Sequence, residues 1–299
     1  MLVILPVLGA LLASSVRAAP LPTSCRSDSP LEGRVASIGT DGSIVLDIAA
    51  SEVVARPSEP RLRETVRLAD IGNDEGWRKS SLRPALEALS GRRIAVHPIY
   101  SKPDRWGRVV GHVEVPDSES SPTSGFWLQA ELVRAGLVAV RPQGSRTGCA
   151  AALYAGEGAA RRAGRGVWGE AFARKEKLRQ KTGVLAEMKE IASRSARAQG
   201  AAILSASDPQ LTKHANGYRI VAGIVVSVGA TSRTLYLNFG RDWSRDFTVT
   251  IPAGREDAFR EAGRNPKALA GRYVRVRGWM KEWNGAQIEI RHPDQIEVF

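Results

Sequence analysis

The sequence predicts an α+β protein, mainly β with helices, in which a helical linker joins two small β-barrels. Short strands separated by turn residues fill two stretches of the chain, each interrupted by short helices. Between them, residues 170–199 are rich in Ala, Lys, Arg and Glu and contain no Pro, which is typical of a solvated helix. The length of 299 residues also fits two domains of roughly 150 residues each.

These patterns divide the chain into five parts. We expect a signal peptide (1–18), a loose N-terminal segment (19–32), a first barrel domain (33–169), a basic helical linker (170–215) and a second barrel domain (216–299).

The first barrel is predicted from alternating residues and turns. Gly33 to Ile48 alternates apolar and polar residues around Thr40-Asp41-Gly42, which indicates a β-hairpin. We expect further strands over 65–71, 93–99 and 109–115, and helices over 79–89, 126–135 and 149–163.

The second barrel is predicted from the order of its elements. Strands are expected over 219–228, 234–239, 247–251, 273–280 and 287–290, with one helix over 256–262. A helix between the third and fourth of five strands is the order of an oligonucleotide/oligosaccharide-binding (OB) barrel. Tyr236, Phe239, Arg241 and Trp243 are candidates for a stacking surface there, or for ordinary barrel packing.

The positive charge is concentrated in the middle of the chain. The formal net charge is 43 − 31 = +12, but residues 19–159 carry 17 basic and 17 acidic side chains. Residues 160–199 carry 11 basic against 4 acidic side chains. This distribution excludes a uniformly basic nucleic-acid coat, and it leaves the linker able to attract single-stranded DNA, RNA or an anionic membrane surface.

The N-terminus predicts export. Leu2 to Val16 is apolar, too short to span a bilayer comfortably, and followed by a small-residue cleavage pattern ending at Ala18. An uncleaved anchor is the alternative. Cys25 and Cys149 can form a disulfide in an exported protein, whereas in the cytosol they are ordinary thiols. The two Cys and four His lack the spacing of a zinc site.

Several short motifs follow one another in the first domain. They are Thr40-Asp41-Gly42-Ser43, Val66 to Glu75, Asp104-Arg105-Trp106-Gly107-Arg108, Leu128 to Leu137, and Glu157 through Trp168. In this order and spacing they resemble the thermonuclease (staphylococcal-nuclease-like) family. Residues 216–299 resemble a second OB-like domain found in some exported bacterial members, through Tyr236 to Gly240, Val274 to Trp279 and His292 to Glu297.

The resemblance implies calcium-assisted hydrolysis of DNA or RNA phosphodiesters on an OB barrel. Arg67 and Arg108 match the family's two phosphate-binding arginines, a role suited to a planar group that donates two hydrogen bonds. Glu75 matches the carboxylate that orients or deprotonates the attacking water, and Arg105 matches a basic residue near the substrate. Ordinary alternatives are ion pairing for Arg67, turn capping for Arg108 and a helix-dipole contact for Glu75.

The expected calcium ligands depart from the family pattern. Ser43 and Gly72 stand where the family has acidic ligands, and a hard cation prefers charged oxygens. Neighbouring residues offer a displaced set of oxygen ligands for the cation. The alternative for Asp41 is that its carboxylate only stabilises the turn. The candidate metal ligands are Asp41, Asp70, Asn73 and Asp74.

Three functions remain open from the sequence. The first is a thermonuclease-like phosphodiesterase that uses a divalent cation, calcium by resemblance. The second is a catalytically inactive protein of the cell envelope that binds nucleic acid or another anionic polymer. The third is a structural envelope protein whose barrels bind protein or glycan.

Overall fold

A computed structural model describes most of both predicted domains. The described residues are 19–48, 62–72, 82–118, 121–144, 148–169, 203–242 and 244–299. The predicted signal peptide, Asn73, Asp74, Glu75 and residues 170–202 of the linker lie outside them. The chain divides into two compact units, one with residues up to 140 and 152–160, the other with 141–151 and residues from 161 onward.

The first unit contains the strands β1 (Leu31–Ile38), β2 (Ile44–Ile48), β3 (Leu62–Leu68), β4 (Ile71–Gly72), β5 (Arg93–Pro98), β6 (Val109–Ser118), β7 (Ser121–Trp127) and β8 (Ala139–Val140). Its helices are α1 (Leu82–Glu87) and α2 (Leu128–Arg134), while α3 (Cys149–Arg162) runs through both units. The predicted hairpin and helices are present, and β7 was not predicted.

Five of these strands close into a barrel. β1 pairs antiparallel with β2 and β5, β2 with β3, and β5 with β6, while β3 and β6 pair in parallel and close the ring. Alternation along each strand points apolar side chains inward, and Ile44, Leu46, Val66, Ile94 and Val96 are fully buried. Helix α1 lies between β3 and β5 in sequence, so the OB-like barrel is confirmed.

Part of the N-terminal segment over 19–32, predicted to be loose, packs against the rest of the protein. Leu21 and Cys25 are buried, and the Trp127 backbone N–H donates to the Ala19 carbonyl oxygen at 2.9 Å. Cys25 and Cys149 are disulfide-bonded. Apolar burial and the covalent link therefore hold a segment whose Pro and Ser content suggested a linker.

The second unit contains the strands β9 (Ile203–Ser205), β10 (Gly217–Ile224), β11 (Ser227–Ala230), β12 (Thr234–Asn238), β13 (Thr248–Pro252), β14 (Tyr273–Glu282), β15 (Ala286–Glu289) and β16 (Ile296–Val298). One helix, α4 (Glu256–Glu261), lies between β13 and β14 as predicted.

These strands pair in the predicted order. β11 pairs with β12, β12 with β13, β13 in parallel with β15, β15 with β14, and β14 with β10. Only two residues, Val225 and Val226, separate β10 from β11. Val225 N donates to the carbonyl oxygen of Arg272, just before β14, and Val226 N donates to that of Asn238 at the end of β12. The two strands thus act as one bent strand that completes a second five-stranded, OB-like ring.

The second unit begins before the predicted boundary at 216. Ile203–Ser205 pairs in parallel with β10, and Leu204 and Leu211 are buried in the second core. Residues 141–151 also belong to this unit, where the Gly148 backbone N–H donates to Asp294 Oδ2 at 2.8 Å. Polar turn residues around Asp208-Pro209 made this stretch look like a linker, although its apolar residues pack in the core.

Within the part of the chain that the structure describes, no helix is both long and apolar enough to cross a lipid bilayer.

Candidate functional site

The strand register gathers three predicted motifs at one end of the first barrel. Ile44 at the start of β2 is opposite Val66 in β3, and Val66 is in turn opposite Val109 at the start of β6. This register places three segments next to one another. They are the turn that contains Asp41, the end of β3 that contains Arg67, and the turn that contains Arg108.

Arg108 is bound by two carboxylates in this arrangement. Its Nη1 donates to Asp41 Oδ2 at 2.7 Å, its Nε donates to Asp104 Oδ2 at 3.0 Å, and its Nη2 lies 2.9 Å from the same Asp104 oxygen. The Arg108 side chain is only 17% exposed, whereas that of Asp41 is 51% exposed. Asp104 thus holds the guanidinium from the buried side, and Asp41 covers it from the solvent side.

Asp41 is also the acceptor of its own turn. Its Oδ1 accepts from the Ser43 backbone N–H at 3.0 Å and from the Ser43 hydroxyl at 2.6 Å. Partial burial by itself raises the pKa of Asp41, but the bonds from Ser43 and Arg108 outweigh it and hold the pKa below the usual 3.8. Both carboxylate oxygens of Asp41 therefore have cationic or hydrogen-bonding partners.

The turn before β6 presents an aromatic ring between two arginines. Asp104 Oδ1 accepts from the backbone N–H groups of Trp106 and Arg108, both at 3.0 Å, and Gly107 has φ +75°, which favours glycine. Trp106 is 61% exposed, with the guanidinium carbons of Arg105 and Arg108 at 3.9 and 4.8 Å from its ring centre. The turn thus places an exposed indole beside two cations, a combination used to contact the bases and phosphates of single strands.

Arg67 lies near a second exposed aromatic residue. Val66 and Leu68 are buried, so strand alternation turns Arg67 to the opposite face, where it is half-buried. Burial raises the pKa of the Tyr100 phenol; the negative charge of Asp70 raises it further, and the positive charge of Arg67 opposes both. Tyr100, Asp70 and Arg67 are therefore within electrostatic range of one another.

Asp70 is the buried member of this group. It is 4% exposed, has φ +57°, and places its Oδ2 3.3 Å from Nε2 of the fully buried His112. Asp is among the few residues that adopt the left-handed conformation readily. The bend at Asp70 separates β3 from β4, so the single strand predicted over 65–71 is divided there.

The described candidate metal ligands already have other partners. Asp41 binds Arg108, Asp70 faces His112, and the hydroxyl of Ser43 is used by Asp41. Within the described residues, no three His, Cys, Asp or Glu side chains converge to hold a metal ion. The candidates Asn73 and Asp74 lie outside that part of the chain, as does the candidate base Glu75.

Two residues of this surface were not identified from the sequence. Trp106 was noted only as part of its motif, and Tyr100 was not considered. A Trp between two arginines in a glycine turn was the available signal for the first; no local pattern marked the second.

The candidates for a stacking surface or for barrel packing in the second barrel lie in different environments. Phe239 is only 8% exposed and packs against Phe247 with ring centres 4.9 Å apart, so it belongs to the core. Tyr236 lines a surface groove instead, and Trp243 lies outside the described residues.

No protein-family model matches this chain, and no curated protein matches its sequence.

Proposed function

We propose that the protein is a thermonuclease-like phosphodiesterase that binds single-stranded DNA or RNA at the end of its first barrel. The observation that carries the proposal is the convergence of the Asp41 turn, Arg67 and the Arg105–Arg108 turn at that end. These are the segments on which the family resemblance rests.

The two arginines supply the electrostatic part of the reaction. Arg67 and Arg108 donate N–H groups to the non-bridging oxygens of a phosphodiester, and their charge stabilises the additional negative charge of the transition state. Asp104 fixes the Arg108 guanidinium from its buried side. A phosphate reaches Arg108 by replacing Asp41, its more exposed partner.

Residues near the two arginines position the nucleotide chain of the substrate. Trp106 and Arg105 offer a stacking surface for a base, and Tyr100 offers a hydroxyl beside Arg67. Glu75 is assigned to orient or deprotonate the attacking water by the family resemblance alone. Calcium is the cofactor that the resemblance implies.

A second candidate is a protein that binds nucleic acid without hydrolysing it. The ion pair between Asp41 and Arg108 favours this candidate. Asp41, which the resemblance places among the metal ligands, instead neutralises Arg108, which the resemblance assigns to phosphate binding. Binding by Arg67 and Arg105 needs no metal.

Export belongs to the same proposal. The disulfide between the two cysteines supports an oxidising compartment such as the periplasm or the outside of the cell. The predicted signal peptide and the basic linker, with its proposed contact with anionic lipid, lie outside the described residues.

The test compares cleavage and binding in two variants. We expect Arg67→Ala to reduce turnover of a labelled single-stranded oligonucleotide by orders of magnitude with little change in melting temperature. Arg63→Ala is the matched control, because Arg63 lies on the same strand but pairs with Asp47 at 3.0 Å. A large loss of stability in Arg67→Ala, or an equal loss of turnover in both variants, contradicts the assignment.

A further inference from the structure

The second barrel carries a polar groove of about 360 Å³ on its outer face. It lies over β12, β13 and β15 and is bounded by the loop between β14 and β15. Its lining residues are Thr234, Tyr236, Asn238, Thr248, Thr250, Lys281, Trp283, Asn284, Gln287 and Glu289. The volume is at the lower end of the roughly 300–1,000 Å³ common for ligand sites.

The strand register arranges the lining in rows across the sheet. Asn238 is opposite Thr248, Thr248 is opposite Gln287, and Gln287 is opposite Lys281. Neighbouring strands lie about 4.8 Å apart, so this row offers amide, hydroxyl and amine groups at regular spacing. A second row joins Tyr236 to Thr250 and Glu289.

An exposed tryptophan stands at one end of the groove. Asn284 and Gly285 both adopt positive φ, and these left-handed residues form the tight loop that follows Trp283. A Cβ on Gly285 would meet the Arg245 carbonyl oxygen at 2.5 Å, so the loop is packed closely on the barrel. Trp283 is 67% exposed and has its ring at the edge of the groove.

The charges of the groove indicate the class of ligand. Its lining contains one base, Lys281, and one acid, Glu289, which also accepts from Arg291 Nε at 2.6 Å. A nucleic-acid backbone gains most of its affinity from several positive side chains, whereas Lys281 is the single base among the described residues that line this groove. Hydroxyls, amides and an exposed ring instead match a neutral ligand with many hydroxyl groups.

We infer that this groove binds a neutral oligosaccharide. Trp283 and Tyr236 pack against the apolar faces of sugar rings, and Asn238, Gln287 and Glu289 exchange hydrogen bonds with the sugar hydroxyls. The same face of OB barrels, strands two and three with the loop between strands four and five, is used for oligosaccharides and oligonucleotides in general. The inference does not depend on a nuclease activity of the first barrel.

The experiment is calorimetric titration of the protein with cellohexaose, maltohexaose and chitohexaose, beside a six-residue thymidine oligonucleotide. We expect at least one of the three sugars to bind with an affinity that does not change between low and high salt. Trp283→Ala should weaken that binding by about tenfold or more, since an aromatic contact is lost.

The matched control is Trp279→Ala. Trp279 lies on β14, four residues before Trp283, is 58% exposed and is not among the lining residues, so this variant should bind the sugar like the wild type. The inference is overturned if none of the three sugars binds, if both tryptophan variants lose binding equally, or if Trp283→Ala affects only the oligonucleotide. A circular-dichroism melt of each variant confirms that the fold is retained.

Discussion

The carboxylate of Asp41 lies 2.7 Å from the guanidinium of Arg108, so a predicted metal ligand and a predicted phosphate ligand bind each other. The pair joins two turns that are 67 residues apart in sequence. Since Asp104 retains Arg108 from the other side, loss of Asp41 should leave the guanidinium in place and release the Nη1 N–H group that Asp41 had accepted.

Asp41→Asn tests whether this ion pair competes with the substrate. We expect the variant to bind a single-stranded oligonucleotide about two- to fivefold more tightly at low salt, a size typical of an exposed ion pair. The measurement is fluorescence anisotropy. Asp47→Asn removes the same charge from the ion pair with Arg63, away from the site. Equal effects of the two variants indicate that only net charge matters.

Restoring the missing carboxylates should create a calcium site. In Ser43→Asp combined with Gly72→Asp, we expect a lower melting temperature than in the wild type without metal, because the new carboxylate at position 43 repels Asp41. Calcium should then raise the melting temperature, because it binds only the folded state. The measurement is a thermal melt with calcium and with chelator. A melting temperature of the double variant that is insensitive to calcium argues against a cation site here.

Stability should depend on the protonation of His97. Burial lowers the pKa of His97 below the usual 6.5, more than the nearby Glu114 raises it, and its Nδ1 accepts from the Ser27 N–H at 3.0 Å. Below pH 6.5, His97 binds a proton in the unfolded chain but remains neutral in the folded protein. The free energy of unfolding should therefore decrease as the pH falls toward the folded-state pKa of His97.

The measurement is urea denaturation at several pH values between 5 and 8 (about the range in which histidine titrates). His97→Gln removes the titrating group, so its stability should show a shallower slope below pH 6.5. Identical slopes in the variant and the wild type contradict the assignment to His97.

Reduction of the disulfide should destabilise the protein. A single bond between Cys25 and Cys149 closes a long loop, for which a loss of about 2–4 kcal/mol in the free energy of unfolding is expected on reduction. Chemical denaturation with and without reductant measures the loss. In a Cys25→Ala, Cys149→Ala double variant the reductant should have no effect; an unchanged stability of the reduced wild type contradicts the prediction.

Much of the fold was predictable because it follows from local patterns. Alternating residues and turns located the strands of both barrels, and the order of strands and helices indicated the OB-like rings. β7 was missed because Ser121 to Gly125 has no apolar alternation. The start of the second unit was misplaced because its first strand, Ile203–Ser205, is short and is followed by turn residues.

The candidate site was less predictable, because its key contacts are made between distant turns. Motif spacing selected Arg67, Arg105 and Arg108 as candidates, but no local pattern shows that Asp41 binds Arg108 or that Asp70 faces His112. The exposure of Trp106 depends on how Asp104 folds its turn. Such tertiary ion pairs and turn geometries decide whether a carboxylate is available for a metal.

Hydrolysis of nucleic acid by the first barrel can be measured as cleavage of a labelled single-stranded oligonucleotide by residues 19–299. The reactions contain calcium, manganese or chelator. A Glu75→Gln variant purified identically controls for contaminating nucleases. We expect cleavage by the wild type that is absent in the variant, and comparison of the calcium, manganese and chelator reactions shows whether this cleavage needs a cation. No cleavage under any condition, or equal cleavage by both proteins, contradicts the claim.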